Sequence, residues 1–179
     1  IYVRTGDKKI LEENFEMMKG WVNYHEKKTK NSISKMGFFA DWLQPLPENG
    51  DNRGDTSKSL IGTAFFAHSA NLTAKAAKVL GKMDEFRKYD ALYKTVAKAF
   101  ENHFFKDGKV KENNATETQT SYLLGLAFGL ISEENKANAK RHLLRKIEEA
   151  DNHLRTGFLG TPLLSEVLDE TGEIDLMYK

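Results

Sequence analysis

The fourth helical segment constrains the fold of this chain more than any other feature. It runs from Thr116 to Ile131, and after Tyr122 it is apolar nearly all round, reading "LLGLAFGLI". A helix without a polar face has to be buried. The next segment, Glu133 to about Ala150, is strongly charged and carries only a narrow apolar stripe of Ala139, Leu143, Leu144 and Ile147. A buried helix followed directly by a solvent-facing one indicates a hairpin with an inner and an outer member.

The rest of the chain also has helical periodicity, and no segment alternates convincingly with period two. Further helices are expected from about Asp7 to Lys28, from a Ser57 cap to Leu80, from Asp84 to Phe105, from an N-cap at Thr161 with Pro162 in the first turn, and from Ile174 onward. Gly125 and Gly129, four residues apart, predict a face for close packing on the fourth helix. Unequal connectors and the lack of a recurring motif disfavour a helical-repeat solenoid. A barrel of paired inner and outer helices is favoured.

Composition excludes several classes of protein. The chain has 179 residues, enough for one domain with a sizeable core. With 27 Lys+Arg against 26 Asp+Glu, the net charge of +1 predicts no nucleic-acid partner. The lack of cysteine excludes disulfides and thiolate nucleophiles. The most apolar run, Leu123 to Ile131, is too short to span a bilayer, so no membrane partner is predicted, and the compartment is left open.

The two ends suggest a piece of a larger protein. The sequence begins without an initiator Met and stops at "TGEIDLMYK", which reads as the start of another helix. We therefore interpret residues 1–179 as a single fragment truncated at both ends. An incomplete barrel should expose apolar surface where its other helices packed, which predicts self-association through that face or marginal stability.

The first connector, about Thr29 to Thr56, is unusually long and rich. Structureless connectors of this length are usually functional or disordered, and its aromatic residues argue against disorder. Asp41 beside Trp42 pairs a hydrogen-bond acceptor with a stacking surface, the combination that recognises a sugar ring. The alternative is that Trp42 plugs the core and Asp41 caps a turn. The stretch "DNRGD", Asp51 to Asp55, does not fit an EF-hand and is interpreted as a solvated turn.

Two other connectors carry candidate groups. Gln119, at the start of the buried helix, would face a ligand with a donor and an acceptor if that helix opens on the barrel mouth; ordinary N-capping by this segment is the alternative. The stretch "HLRTGFLGTP", from His153 to Pro162, is richer than a helix-to-helix turn requires, with two glycines, two threonines and an exposed-looking Phe158.

Known catalytic and metal-binding patterns are missing from the sequence. His68 is expected to be a satisfied core histidine, and His25, His103 and His142 are expected at the surface or at helix ends. No two histidines have metal-ligand spacing, so neither a metal site nor a cofactor is predicted. There is no phosphate loop and no G-x-S-x-G. Carboxylate pairs such as Glu148–Glu149 look like solvated surface. The residues alone predict a helical domain without a complete catalytic constellation.

Five segments taken together resemble a known family. In chain order they are "TGDKKILEENFEMMKGWVNY", "DWLQP", "AFFAHSANLTAKAAKVLGK", "TQTSYLLGLAFGLISEE" and "HLRTGFLGTPLLSEVLDETG", and they are similar to the catalytic domain of bacterial α-L-rhamnosidases, glycoside hydrolase family 78. The resemblance implies an all-α, incomplete (α/α)6 six-hairpin barrel. It also implies hydrolysis of terminal α-L-rhamnosides with inversion, by an acid and a base roughly 6.5–9.5 Å apart. The family's acid motif precedes "YVRTGD" and its base motif follows the last helix, so no catalytic residue is expected in this fragment, which should be inactive.

The resemblance also implies binding roles for particular residues. The connector before the sixth helix would line the barrel mouth, with Gly157 allowing close backbone approach and His153 and Thr156 orienting it, while Asp41 and Trp42 reach the sugar pocket. Ala40 stands where the family more usually has glycine. Calcium is possible in the parent enzyme but is not supported by these residues.

Two alternatives to the rhamnosidase remain open. One is a non-catalytic helical scaffold that binds a protein or peptide on a concave face, and the other is a different hairpin-barrel glycosidase or lyase. A scaffold has no need for "ADWLQPLP" and "HLRTGFLGTP" to converge, so the relative position of these connectors separates the first alternative from the leading interpretation.

Overall fold

The computed structural model describes residues 2–36 and 39–178, and nearly all of its regular structure is helical. The helices are α1 Tyr2–Thr5, α2 Lys9–Lys28, α3 Lys58–Val79, α4 Met83–Phe104, α5 Gln119–Ala127, α6 Glu133–Glu148, α7 Thr161–Glu170 and a 3-10 helix Ile174–Tyr178. Two short strands, β1 Phe105–Lys106 and β2 Lys109–Val110, form an antiparallel hairpin after α4. Within the described ranges, no helix combines the length and the apolar character that crossing a membrane requires.

The helices separate into an inner and an outer set. Helix α3 buries residues on all its sides, and α5 buries every residue from Gln119 to Gly125. Helix α6 buries only the stripe of Ala139, Leu143 and Ile147. Helix α5 contacts α3, α6 and α7, while α3 packs most extensively against α4. The predicted alternation of buried and solvent-facing helices is confirmed.

The connectors are strongly asymmetric in length. Segments 29–57, 105–118 and 149–160 follow α2, α4 and α6, whereas the connectors at the other ends of the helices, 80–82, 128–132 and 171–173, are short. Because α2, α4 and α6 end where α3, α5 and α7 begin, the three long segments meet at one end of the structure. The hydroxyls of Thr56 and Thr118 lie 2.7 Å apart there. We call this end the long-connector rim.

Helix α5 is shorter than the sequence predicts. Its N-cap is Thr118, whose hydroxyl accepts a hydrogen bond from the backbone N–H of Ser121 at 3.1 Å. It ends at Ala127, because Gly129 takes a left-handed φ of +64° and the chain turns away. The predicted packing face of Gly125 and Gly129 is therefore wrong. Only Gly125 lies in the helix, where a Cβ would meet the side chain of Ile131.

Two further predictions need correction. No strand was predicted, yet residues 105–110 form the β1–β2 hairpin, whose strands of two residues each are too short to show period-two alternation. Helix α7 includes Thr161, and Gly160 occupies the N-cap position. The Thr161 hydroxyl instead lies 2.8 Å from that of Thr156.

Two histidines pack against aromatic rings. His25 lies in the last turn of α2, so its predicted helix-end position is confirmed, but its side chain is 5% exposed and packs between Trp21 and Phe66 because its face of α2 points at α3. Burial lowers the pKa of His25, which favours the neutral ring. His68 stacks on Phe128 with ring centroids 4.0 Å apart, and among the described residues its Nδ1 has no hydrogen-bond partner. Its ring is held by aromatic packing rather than by the hydrogen bonds expected of a satisfied core histidine.

Apolar side chains are exposed on one side of the structure. Val3, Met17, Trp21 and Tyr24 of α1 and α2 are all at least 46% exposed. Beside them an apolar groove of about 460 Å³ separates these helices from Leu72 and Val79 of α3. Apolar side chains are thus exposed on α1 and α2; that further helices of a larger barrel cover them, and that the chain self-associates through them, stay predictions.

Candidate functional site

The first and third long connectors interlock at the rim. The backbone N–H of Phe158 donates to the carbonyl of Trp42 at 2.9 Å. The backbone of Gly157 lies against the carbonyls of both Asp41 and Trp42. The predicted convergence of "ADWLQPLP" and "HLRTGFLGTP" is therefore confirmed. Connectors far apart from each other would have favoured a non-catalytic scaffold, and they are not far apart here.

The Asp41 carboxylate holds the two connectors together. Its Oδ2 accepts from the Thr120 hydroxyl and from the backbone N–H of Gly157 at 2.8 Å. Its Oδ1 accepts from the N–H groups of Leu159 and Gly160 at 2.9 and 3.1 Å. A carboxylate has about four acceptor positions, and here all are occupied. Since Asp41 is also 0% exposed, it anchors the connector and has no acceptor left for a ligand in this arrangement.

Gly157 is required by the close approach of the two backbones. A Cβ at this position would lie less than 3.0 Å from the carbonyl oxygens of Asp41 and Trp42, closer than side chains pack. Thr156, next to it, is 2% exposed, and its hydroxyl bonds to that of Thr161. The close approach seen at Gly157 is to the first connector, and the predicted approach of this backbone to a substrate stays a prediction.

Trp42 and Phe158 are two exposed aromatic residues of the interlocked connectors whose rings contact each other. They are 40% and 60% exposed, so Trp42 does not plug the core and that alternative is wrong. The ring centroids lie 5.4 Å apart and the ring planes meet at 85°. Phe158 was not among the residues predicted to contact a ligand. The sequence feature that could have indicated a role for Phe158 is its position: an aromatic residue next to Gly157, in a connector where folding does not require one.

Gln119 fixes the backbone of the third connector by hydrogen bonds. It is 2% exposed, and its Nε2 donates to the carbonyls of His153 at 3.1 Å and Lys146 at 3.3 Å. Its Oε1 accepts from the backbone N–H of Arg155 at 3.0 Å. The His153 ring is exposed, with Nδ1 2.8 Å from the carbonyl of Asp151. Ligand contacts by Gln119, His153 and Thr156 stay predictions, and the contacts described here fix the connector.

The first connector contains strained backbone. Ala40, Leu43 and Leu46 have φ values of +50°, +60° and +48°, in the left-handed region that favours glycine. Each such residue costs about 1–2 kcal/mol and persists only where its surroundings fix it. Ala40 adopts this left-handed turn although it carries a Cβ. The hydrogen bonds of the neighbouring Asp41 offset this strain.

A polar cleft of about 320 Å³ lies among the three long connectors, and its wall includes Gln44, Asp55, Glu117, Lys146 and Arg155. The Asp55 carboxylate accepts from Gln44 Nε2 at 2.6 Å and from the backbone N–H groups of Glu48 and Asn49 at 3.0 Å. Asp55 is therefore occupied in shaping the connector. Among the residues that the structure describes, no cluster of three or more His, Asp or Glu side chains is arranged to hold a metal ion.

Glu117, in the wall of this cleft, provides a test of the rim's electrostatics. Burial acts to raise its pKa, but hydrogen bonds from the Tyr122 hydroxyl and from Arg145, at 2.6 Å, lower it below the ordinary value of 4.5. Because the pKa of Glu117 is lower in the folded state, its ionised carboxylate stabilises the fold above pH 4.5. This stabilisation is lost as the pH falls through the pKa of the folded state. Glu117→Gln should lower the free energy of unfolding by about 1–2 kcal/mol at pH 7, and less in acid.

Urea unfolding at several pH values checks this expectation. Glu133→Gln is the matched control, since the Glu133 side chain is 87% exposed and pairs with Lys136 at the surface. A Glu117→Gln deficit that stayed constant from pH 7 down to acid would contradict the electrostatic explanation.

Comparison with known proteins supports the helical fold. Residues 1–179 match the family described as the bacterial alpha-L-rhamnosidase 6 hairpin glycosidase domain. The chain is 74% identical to an alpha-L-rhamnosidase of Formosa agariphila over 179 residues, and 50% identical to one of Alteromonas sp. strain LOR over 182 residues. All of the chain is covered in both, but only 19% and 20% of the relatives.

Solved structures are similar over nearly the whole chain. A crystal structure of the Streptomyces avermitilis alpha-L-rhamnosidase complexed with L-rhamnose superposes with a TM-score of 0.84 at 36% identity, covering 97% of this chain and 16% of that one. The alpha-L-rhamnosidase from Dictyoglumus thermophilum gives 0.87 at 31% identity, covering 97% and 19%. The helical hairpins, the match over all residues and these identities agree: the chain belongs to the bacterial α-L-rhamnosidase six-hairpin glycosidase family.

Proposed function

We propose that this chain is part of the catalytic domain of an inverting α-L-rhamnosidase that hydrolyses terminal α-L-rhamnosides. The proposal rests mainly on one observation: Trp42 and Phe158 form an exposed aromatic pair on the interlocked connectors of the rim. Aromatic faces of this kind cover the apolar C–H surface of a sugar ring. Support comes from the Streptomyces avermitilis relative, which was crystallised with L-rhamnose.

The division of labour at the rim follows from its hydrogen bonds. Asp41, Gln119 and Thr156 hold the third connector in place, so that Trp42 and Phe158 are presented to a ligand in a fixed arrangement. Preorganised binding groups of this kind reduce the entropy lost when a sugar is bound. In this scheme the rim binds and orients the rhamnosyl group.

The acid and the base of the proposed reaction lie outside this chain. Inversion needs one carboxylic acid to protonate the leaving oxygen and a second carboxylate to activate water on the opposite face of the sugar. Asp41, Asp55 and Glu117 are three carboxylates of the rim, and all three are engaged in the hydrogen bonds described above. We therefore propose that residues 1–179 are a fragment of the enzyme and do not hydrolyse substrate alone.

An activity assay on the full-length protein that carries this sequence tests the proposal. It should hydrolyse an aryl α-L-rhamnoside, and proton NMR of the first product should show the β-anomer, as inversion requires. Residues 1–179 alone should give no turnover. Retention would remove the inverting mechanism, and hydrolysis by the isolated chain would show that an acid and a base are present in it. Turnover of another aryl glycoside in place of the rhamnoside would favour a different hairpin-barrel glycosidase.

A further inference from the structure

Phe158 is an exposed aromatic residue that the fold does not need. Its side chain is 60% exposed and lies on a connector whose position is fixed by other atoms. The backbone N–H of Phe158 bonds to Trp42, and the neighbouring N–H groups of Gly157 and Leu159 bond to Asp41. None of these bonds uses the Phe158 ring. A single exposed hydrophobic residue is ordinary, but this one is paired with a second exposed ring.

The two rings form a corner with two apolar surfaces. Their planes meet at 85° with centroids 5.4 Å apart, and Trp42 is itself 40% exposed. A flat ligand uses one such surface and leaves the other in water. A ligand that uses both must present two apolar groups at a steep angle to each other.

A 6-deoxyhexose has this shape. One side of its pyranose ring presents C–H groups, and its C5 carries a methyl group where other hexoses carry a hydroxymethyl group. Burying a methyl group against an aromatic ring is favourable, whereas burying a hydroxyl there without a hydrogen-bond partner is unfavourable. A corner of two rings can therefore read both the sugar face and the substituent at C5.

We propose that Phe158 is a specificity-determining residue that packs against the C6 methyl group of the rhamnosyl unit, while Trp42 covers the face of the sugar ring. The inference rests on the proposed function and adds the chemical feature that the rim recognises. It explains why the connector carries an exposed aromatic residue next to Gly157, where the contact with Trp42 is closest.

Two substrates separate this role from a structural one. Aryl α-L-rhamnoside and aryl α-L-mannoside differ only by the hydroxyl on C6. In the full-length protein, Phe158→Ala should lower kcat/KM for the rhamnoside about 10-fold and leave that for the mannoside nearly unchanged, since a methyl contact in a hydrophobic site is worth roughly 10-fold or more. The ratio of the two values should therefore fall about 10-fold. Phe158→Leu, which keeps an apolar side chain, should restore part of the ratio.

A matched control comes from the same connector. Leu154 is also an exposed hydrophobic residue, 38% exposed, and Leu154→Ala should leave the ratio unchanged. Thermal unfolding of Phe158→Ala should be close to that of the wild type, because the side chain is 60% exposed and substitutions of exposed side chains change stability little.

The outcomes are distinguishable. If Phe158→Ala lowers both kcat/KM values equally, or changes neither, the assignment to the methyl group is overturned. A wild-type enzyme without preference between the two substrates overturns it as well. A wild-type protein that hydrolyses no aryl α-L-rhamnoside refutes the proposed function itself.

Discussion

Asp41→Asn is expected to lower the free energy of unfolding by about 3 kcal/mol, although the two side chains have nearly the same shape. The carboxylate accepts four hydrogen bonds, three from backbone N–H groups and one from Thr120. An amide replaces one acceptor oxygen by an NH₂ group, which cannot accept from a backbone N–H. Even if the Thr120 hydroxyl turns to accept from the NH₂ group, one backbone N–H is left unsatisfied in a site that is 0% exposed, which costs roughly 1–3 kcal/mol, and the other hydrogen bonds lose the charge of their acceptor.

Urea unfolding of the chain measures the loss, and hydrogen exchange shows where it falls. The backbone amides of Gly157, Leu159 and Gly160 should lose protection first, because they donate to the altered group. The inner helices should keep their protection until global unfolding.

Asp51→Asn is the matched control on the same connector. Asp51 is paired with Arg53 at the surface, where both side chains are at least 33% exposed. Pairs of this kind contribute little to stability, so this variant should unfold almost like the wild type. Equal losses of stability in the two variants would show that the burial of the Asp41 carboxylate and its four hydrogen bonds do not explain the loss.

The helical organisation could be predicted because its signals are local. The all-round apolar residues of α5 and the single stripe of α6 follow from periodicity within one helix, and both predictions are confirmed. The position of the long connectors follows from the same alternation, since outer and inner helices run in opposite directions. The end of α5 was missed because a glycine inside an apolar run is compatible with helix continuation and with a left-handed cap, and packing decides between them at Gly129.

The arrangement of the rim could not be predicted in the same way. The partners of Asp41 lie 79 to 119 residues away along the chain, and no local pattern indicates them. From the sequence alone Trp42 could be either buried in the core or exposed to a ligand, because tryptophan is common in both positions. Its exposure depends on the Asp41 bonds that fix the connector. The resemblance to the family singled out the two connectors that interlock, but only the folded structure shows that Asp41 is buried between them and that Trp42 is exposed.

Gly157→Ala is expected to lower the free energy of unfolding by about 3 kcal/mol and to separate the two connectors. The new methyl group would lie less than 3.0 Å from the carbonyl oxygens of Asp41 and Trp42, and backbone atoms cannot move aside as a flexible side chain can. Overpacking typically costs 1–3 kcal/mol, and here the shift would also break the bond from Phe158 to Trp42. Urea unfolding measures the loss of free energy of unfolding.

Gly20→Ala provides a control of opposite sign. Gly20 lies inside α2 and nothing lies within 4 Å of an added Cβ, so alanine should stabilise the chain by roughly 0.5–1 kcal/mol through helix propensity. The double variant of Asp41→Asn with Gly157→Ala adds a stricter test. Both substitutions disrupt one interlock, so their combined cost should fall well short of the sum of the single costs. Full additivity would mean that Asp41 and Gly157 stabilise separate parts of the rim.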